Sequence, residues 1–241
     1  MTPRNRPPRG LFITLEGTEG CGKSTQAKLL GEHLRNQGYD TVETREPGGT
    51  PLAEKIRSLL LDRADEPVAP ETEAFLVLAA RRQHVAQVIE PALARGSIVL
   101  CDRFIDSTLA YQGYARGLDI ATLERLNRLA AHALMPDLTL VFDLPVSTGL
   151  ARRRSAAELN RLDRESLRFH RSVRTGFLDL AKRHPTRIKV LSARASKEAV
   201  ARAVARVVTP MLGHIRRGVD HNRPAASRPS PQKSQARHAI R

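Results

Sequence analysis

The chain has 241 residues, a formal net charge of +15 and a sequence pI near 11. This length allows one domain with tails, and a hydrophobic content of 41% is enough for a core, which excludes a chain disordered throughout. Two cysteines are too few for a disulfide framework, and no apolar run reaches the roughly 20 residues of a membrane-spanning helix, so we expect a cytoplasmic protein.

The predicted elements alternate between short strands and longer helices. Strands are expected at 11–16, 41–45, 97–102, 138–143 and 187–192. Helices are expected at about 23–37, 52–62, 71–94, 107–113, 119–134, from about 146, at 161–183 and at 196–212. Because strands that alternate with helices form parallel sheets covered on both faces, the pattern predicts an α/β fold.

The basic excess is concentrated in two tails and one internal segment. Residues 1–9 hold three arginines and no acid, and residues 214–241 hold seven basic residues against one acidic residue. Both are rich in Pro, Ser and Arg, so we expect disordered tails around one domain at 10–213. A pI this high is typical of nucleic-acid-binding proteins, but aromatic residues are only 4% and Trp is absent. Nucleic acid is therefore not the expected partner of the domain, and the tails are either solvated ends or weak polyanion contacts.

The strongest motif is the glycine-rich loop GTEGCGKS at 17–24, which follows a predicted strand and precedes a predicted helix. Its backbone N–H groups and the helix N-terminus form a phosphate cradle. Lys23 would bridge the β- and γ-phosphates of a nucleoside triphosphate, and Ser24 would ligate Mg²⁺. The candidate ATP-binding residues are Gly17, Thr18, Glu19, Gly20, Cys21, Gly22, Lys23, Ser24 and Thr25.

A phosphate loop alone does not say where the phosphoryl group goes. Arg45 and Arg103 lie at the carboxyl ends of two strands, at the edge that also bears the loop, so they would hold an acceptor phosphate opposite Lys23. Asp102 is placed to position Mg²⁺, whereas Asp143 is more readily explained as structural. The chain has no NKxD guanine-reading motif. A small-molecule kinase is thus favoured over a hydrolysing switch or a nucleic-acid-binding protein.

The internal basic segment, with eight arginines at 151–174, lies between two predicted helices. Phosphoryl transfer needs arginines near the developing charge and a lid that excludes water. The segment at about 151–164 is therefore the candidate lid, rather than a nucleic-acid-binding helix.

Several segments together resemble the thymidylate kinase family, in the expected order over roughly residues 10–212. They are LEGTEGCGKST, TREPGGT, AARRQH, CDRFIDSTLAYQG, PDLTLVFDLP and RESLRFHRSVR. The resemblance implies a P-loop NTPase-type, five-stranded parallel sheet in the order 2-3-1-4-5, flanked by helices. It also implies transfer of the ATP γ-phosphoryl group to dTMP to give dTDP and ADP for dTTP biosynthesis, with Mg²⁺, and a homodimer.

The resemblance implies roles for individual residues around the acceptor phosphate. Glu19 would bind the sugar 3′-hydroxyl, Arg45 and Arg103 the dTMP phosphate, and Asp102 would organise Mg²⁺ and water. Because Lys23 is the only basic side chain in the loop, the remaining charge would come from the lid. The expected catalytic residues are Lys23, Glu19, Arg103, Arg152 and Arg154, followed by Arg161.

The same resemblance implies a thymine pocket. Arg81 would bind a thymine carbonyl, and Thr108 would contact N3 beside Ser107. Tyr111 would occupy the space of a ribose 2′-hydroxyl, and Gln112 would complete the pocket.

One position departs from the family pattern. Relatives usually have a stacking phenylalanine four residues before the arginine matched by Arg81, and this chain has Val77 there. Phe75 lies two residues earlier, about 200° away on a helix. Stacking on a base is worth ~1–3 kcal/mol, so weaker dTMP binding is expected.

Overall fold

A computed structural model describes residues 9–62, 66–154 and 159–215. Its sheet is parallel throughout, in the order β2-β3-β1-β4-β5. The strands are β1 (Phe12–Glu16), β2 (Thr41–Arg45), β3 (Ile98–Asp102), β4 (Leu138–Asp143) and β5 (Ile188–Ser192). The predicted fold class and strand order are confirmed.

Helices flank this sheet. The α-helices are α1 (Lys23–Asn36), α2 (Pro51–Leu61), α3 (Pro70–His84), α4 (Glu90–Ala94), α5 (Ile105–Thr108), α6 (Ile120–Ala130), α7 (Val146–Arg154), α8 (Leu167–Arg183) and α9 (Lys197–Val208). Two π-helical turns, Val85–Ile89 and Leu109–Ala115, follow α3 and α5. Two 3₁₀ turns, Leu162–Arg164 and Thr209–His214, precede α8 and follow α9.

Two of the helix boundaries that differ from the prediction have a clear local cause. The helix expected at 161–183 begins at Leu167, because the Ser166 hydroxyl caps it by accepting a hydrogen bond from the Phe169 N–H at 3.2 Å. The helix expected at 119–134 ends at Ala130, because His132 and Ala133 adopt left-handed backbone angles that cannot continue it.

The core lies on both faces of the sheet, and every residue of β1 is buried. Ile13 and Leu15 point to the layer that contains α1 and α9, whereas Phe12 packs in the opposite layer with Val85 and Ile89. This double burial explains why the central strands are continuous apolar runs. It also leaves the carboxyl ends of the strands as the place where polar side chains gather.

The ordered core extends slightly beyond the predicted domain limits. Arg9 forms an ion pair with Asp137 at 2.6 Å, and Ile215 is buried against the core. The rest of the predicted tails 1–9 and 214–241, namely residues 1–8 and 216–241, lies outside the described residues. Within the three described ranges, no helix is both long and apolar enough to cross a membrane.

Candidate active site

Two adjoining cavities open at the carboxyl ends of β1, β2 and β3. The larger, of about 980 Å³, is lined by the phosphate loop from Glu19 onward, the start of α1 and the segment before α9. The smaller lies between α2, α3 and the π turn Leu109–Ala115. Glu19 and Arg103 line both, so a molecule in one cavity can reach a molecule in the other.

Backbone conformation shapes the phosphate loop. Gly20 has φ +69°, and a Cβ atom there would lie 2.0 Å from the Gly149 carbonyl oxygen, so no larger residue fits. Lys23 begins α1, and its Nζ donates hydrogen bonds to the carbonyls of Gly17 and Thr18 at 3.1 Å. The ammonium group therefore lies over the concave face of the loop, where phosphate oxygens would bind.

The two predicted metal ligands lie together. The Ser24 hydroxyl donates to Oδ2 of Asp102 at 2.6 Å, and both residues line the larger cavity. Asp102 reaches this position because β3 pairs with β1 in a register that places it beside Leu15. A hydroxyl and a carboxylate are hard oxygen donors of the kind that Mg²⁺ accepts alongside phosphate and water.

Glu19 lies at the junction of the two cavities. Its Oε1 accepts hydrogen bonds from Arg103 at 2.8 Å and from the Tyr111 hydroxyl at 2.7 Å. Burial alone would raise the pKa of Glu19, but the charges of Arg103 and Lys23 lower it to about 2. The carboxylate therefore stays ionised and can accept a sugar hydroxyl.

Arg103 is held in an unusual backbone conformation by a buried carboxylate. Its φ is +72°, in the left-handed region. Directly after it, the Phe104 N–H donates to Glu16 at 2.7 Å, and the Ser107 hydroxyl donates to the same carboxylate at 2.6 Å. Arg103 also donates to Ser107 at 3.2 Å. Glu16 thus fastens the turn that presents Arg103 to both cavities.

Glu16 gives a pH-dependent prediction. Burial, with a smaller contribution from Asp106, raises the pKa of Glu16 from 4.5 to about 7 against the opposing effect of Arg103. Because the folded pKa is the higher one, the stability that this group contributes is complete below about pH 4.5 and is lost as the pH rises through 7. The unfolding free energy of Glu16→Gln minus that of the unsubstituted chain should therefore rise by roughly 2–3 kcal/mol when the pH is raised from 5 to 8.

Urea unfolding at the two pH values measures this difference. Exposed Glu124→Gln on α6 is the matched control, with an expected change within ~0.5 kcal/mol. A Glu16→Gln difference that is the same at both pH values would contradict the prediction.

The smaller cavity is lined by the predicted base-pocket residues. Arg81 is almost fully buried and donates to Glu46 at 2.8 Å and to the Thr108 hydroxyl at 2.9 Å, beneath the Phe104 ring. The predicted residues that line this cavity are Glu19, Val77, Arg81, Arg103, Ser107, Thr108, Tyr111 and Gln112. Tyr111 and Gln112 are placed by the π turn, a geometry common at functional sites.

The predicted phosphate arginines are placed differently. Arg103 lines both cavities, whereas Arg45 lines only the larger one, is exposed and forms an ion pair with Glu54 at 3.0 Å. Sequence reasoning missed Arg57, which also lines both cavities and donates to the Pro47 carbonyl at 2.9 Å. Arg57 lies in the middle of α2 rather than at a strand end, so no strand-end signal identified it.

The candidate lid is described only in part, because residues 155–158 lie outside the described ranges. Arg152 and Arg153 line the larger cavity, and Arg153 forms an ion pair with Asp163 at 2.8 Å. Arg154 is exposed and lines neither of the two cavities. Arg161 turns away toward α2 and α3, donating to the Leu60 carbonyl at 2.9 Å.

Two further predicted positions are now placed. Asp143 accepts two hydrogen bonds from Arg174, at 2.7 and 2.9 Å, as expected for a structural group. Val77 lines the smaller cavity, while the Phe75 side chain is 60% exposed and lies outside that lining. The helix is therefore not shifted to bring Phe75 into the base pocket.

Known proteins of one family match this chain. A family model described as thymidylate kinase matches residues 15–204. A thymidylate kinase of Pseudomonas putida is 53% identical over 206 residues, which cover 86% of this chain and 100% of that protein. One of Geobacter sulfurreducens is 53% identical over 207 residues, covering 83% of this chain and 96% of that protein.

A solved structure agrees. The crystal structure of thymidylate kinase from Ehrlichia chaffeensis superimposes with a TM-score of 0.69 at 36% identity, covering 84% of this chain and 99% of that one. The chain therefore belongs to the thymidylate kinase family.

Proposed function

We propose that this chain transfers the γ-phosphoryl group of ATP to dTMP, giving dTDP and ADP. The observation that carries the proposal is the junction of the two cavities. A phosphate loop with Lys23 opens directly onto an arginine-lined pocket, and Glu19, Arg57 and Arg103 belong to both walls. A donor and an acceptor phosphate would meet there.

The reaction is a direct in-line transfer without a covalent enzyme intermediate. The loop N–H groups and Lys23 hold the donor phosphates, while Arg103 and Arg57 hold the acceptor phosphate, with Arg45 at the entrance. Arg152, at the rim of the larger cavity, would neutralise charge as the transition state forms. Catalysis then consists of positioning and electrostatic stabilisation.

Mg²⁺ is the proposed cofactor, held by Ser24 and Asp102 together with phosphate oxygens. When bound, it would neutralise charge on the β- and γ-phosphates. The 2.6 Å contact between the Ser24 hydroxyl and the Asp102 carboxylate supports this assignment. Neither residue has another evident role in the core, since Ser24 is exposed and Asp102 is half-buried at the cavity wall.

Base selection rests on buried polar groups. Thr108 and Arg81 meet in the smaller cavity at 2.9 Å and favour a base with a carbonyl at position 4 over the amino group of cytosine. Tyr111, fixed by its hydrogen bond to Glu19 at 2.7 Å, would occupy the space of a ribose 2′-hydroxyl. A pocket that leaves polar groups unpaired with the wrong base discriminates strongly.

A coupled ADP-release assay with ATP, Mg²⁺ and a panel of nucleoside monophosphates tests the proposal. We expect dTMP to be the best substrate, dUMP to be slower and dCMP to give no rate above background. ATP consumption that is independent of any monophosphate would favour a hydrolysing switch instead.

Val77→Phe is expected to lower the KM for dTMP. An aromatic ring at this half-buried position in the smaller cavity can stack on the base, and stacking contributes ~1–3 kcal/mol. Steady-state kinetics measure the change, with Val190→Phe, the same substitution at an exposed position of β5 outside both cavities, as the control. A KM for Val77→Phe that stays the same or increases would refute the idea.

A homodimer and a cytoplasmic location are also proposed. Large apolar side chains are exposed on neighbouring helices: Leu52 and Leu59 on α2, Phe75 on α3 and Leu129 on α6. Apolar exposure of this kind is typical of an association surface. Sedimentation analysis would give twice the chain mass for a dimer.

The proposed cytoplasmic location is supported by the cysteines. Both cysteines are buried free thiols, which suits a reducing compartment.

The basic tails are proposed to be dispensable for catalysis. A chain that ends after Ile215 keeps the buried side chain of that residue and should retain dTMP kinase activity within about twofold. Ending the chain at Gly213 would remove Ile215 and with it apolar contacts of the α1–α9 layer. Loss of turnover in the chain that ends after Ile215 would show that the C-terminal tail is needed for catalysis.

A further inference from the structure

Glu73, on α3, is a buried carboxylate that the proposed mechanism does not use. Its side chain is 2% exposed and accepts hydrogen bonds from three residues distant in the sequence. They are Gln112 at 2.8 Å, Arg161 at 2.6 Å and Arg116 at 3.2 Å. Burial alone would raise the pKa of Glu73, but the bonds from Arg116 and Arg161 lower it, so the group is a buried anion.

The three partners belong to two functional parts of the protein. Gln112 lines the smaller cavity, which would hold the thymine base. Arg161 belongs to the candidate lid, and it is fixed further by hydrogen bonds that it donates to the backbone carbonyls of Leu60 and Leu61 at 2.9 and 3.0 Å. Glu73 is therefore the common partner of the base pocket and of the fixed end of the candidate lid.

Arg116 is the third partner of Glu73 and links it to the start of α8. Its guanidinium stacks on the Phe169 ring at 4.5 Å and also pairs with Glu165 at 2.6 Å. Phe169 in turn contacts the ring of Tyr111. The cluster thus joins α3, the π turn and the start of α8 around a single carboxylate.

We propose that Glu73 is a positioning residue for phosphoryl transfer, which couples the base-binding side chain Gln112 to the lid segment through Arg161. The inference rests on the proposed dTMP kinase activity. Glu73 touches neither the donor nor the acceptor phosphate site. It acts by fixing the short segment that holds Arg161 and Asp163, and Asp163 pairs at 2.8 Å with Arg153, whose side chain lines the larger cavity.

Glu73→Gln in the full-length chain is the central test. Gln keeps the shape and one acceptor for Gln112 but removes the charge that holds Arg161. We expect kcat to fall about tenfold while the KM values for dTMP and ATP change by less than about threefold. We also expect more ADP than dTDP, because a poorly placed lid lets water accept the phosphoryl group.

The matched control is Glu165→Gln. This variant removes the charge of the other carboxylate that pairs with Arg116, and it leaves the hydrogen bonds from Gln112 and Arg161 to Glu73 in place. It should keep kcat within about twofold and an ADP:dTDP ratio near one. Melting temperatures of both variants separate a loss of stability from a loss of positioning.

A second variant, Arg161→Met, completes a double-mutant cycle. If Glu73 acts through Arg161, the double variant loses no more in kcat than either single variant. Multiplied losses, or a Glu73→Gln enzyme with unchanged kcat and product ratio, would overturn the proposal. If Glu73→Gln does not fold, Arg161→Met alone must show the kcat-selective loss, and a normal kcat there would also overturn it. An unsubstituted chain that forms no dTDP would instead refute the proposed function.

Discussion

Lys23→Ala is expected to reduce kcat for dTMP phosphorylation by at least roughly 10²–10³-fold. The Lys23 ammonium is the only basic side chain in the loop 17–24, and it lies over the concave face where the β- and γ-phosphates would bind. Without it, the negative charge that develops on the phosphates during transfer loses the one fixed cation that the loop supplies. The fold should remain intact, since the carbonyls of Gly17 and Thr18 that lose this donor border a large open cavity where water can replace it.

Lys28→Ala is the matched control, because Lys28 is exposed on the same helix. Initial rates with saturating dTMP and melting temperatures of the two variants distinguish a catalytic from a structural effect. Retained turnover in Lys23→Ala would refute the role of the phosphate loop.

Arg81→Ala is expected to lower the free energy of unfolding by about 3–5 kcal/mol. The guanidinium is almost fully buried, and its removal leaves the equally buried Glu46 carboxylate without its 2.8 Å partner, so that among the described residues His84 at 3.0 Å is its remaining ionisable partner. For a domain of this size, the melting temperature should decrease by roughly 10 °C. Binding of dTMP should weaken as well, because the Thr108 hydroxyl loses its donor.

The neighbouring Arg82→Ala is the control for this prediction. Arg82 is half-exposed and lies 3.7 Å from Glu90, an exposed pair whose removal should cost no more than ~1 kcal/mol. Urea unfolding of both variants measures the contrast. Equal losses of stability would show that the buried pair is not what makes Arg81 important.

The strands of the sheet were predictable because they rest on local patterns, whereas their order was implied only by the family resemblance. An apolar run as short as 97–102 is typical of a strand covered on both faces, and a glycine-rich loop between strand and helix has few alternative structures. Helix ends were less predictable. The end of α6 at Ala130 depends on two residues that adopt left-handed backbone angles although neither is a glycine. The start of α8 depends on a serine cap, although the helical pattern of the sequence extends upstream of it.

The sequence by itself predicted the chemistry: a phosphate cradle at 17–24, arginines at strand ends and, through the family resemblance, a base pocket formed by Arg81 and the segment after Asp102. These features are local in the chain, so short motifs report them. The tertiary structure decided which charges meet. Arg57 enters the site from the middle of α2, Val77 rather than Phe75 faces the base pocket, and Glu73 collects partners up to 88 residues away.

Folding also decides which of the basic residues behind the +15 net charge are paired with carboxylates. In the 151–174 segment, Arg152 and Arg153 line the larger cavity. Buried or partly buried carboxylates pair with Arg153, Arg161 and Arg174. Pairing of this kind depends on distances between residues far apart in the sequence, because a charge is compensated by its nearest neighbours in space. A count of charges along the chain cannot contain that information, and only the packed structure assigns each arginine its partner.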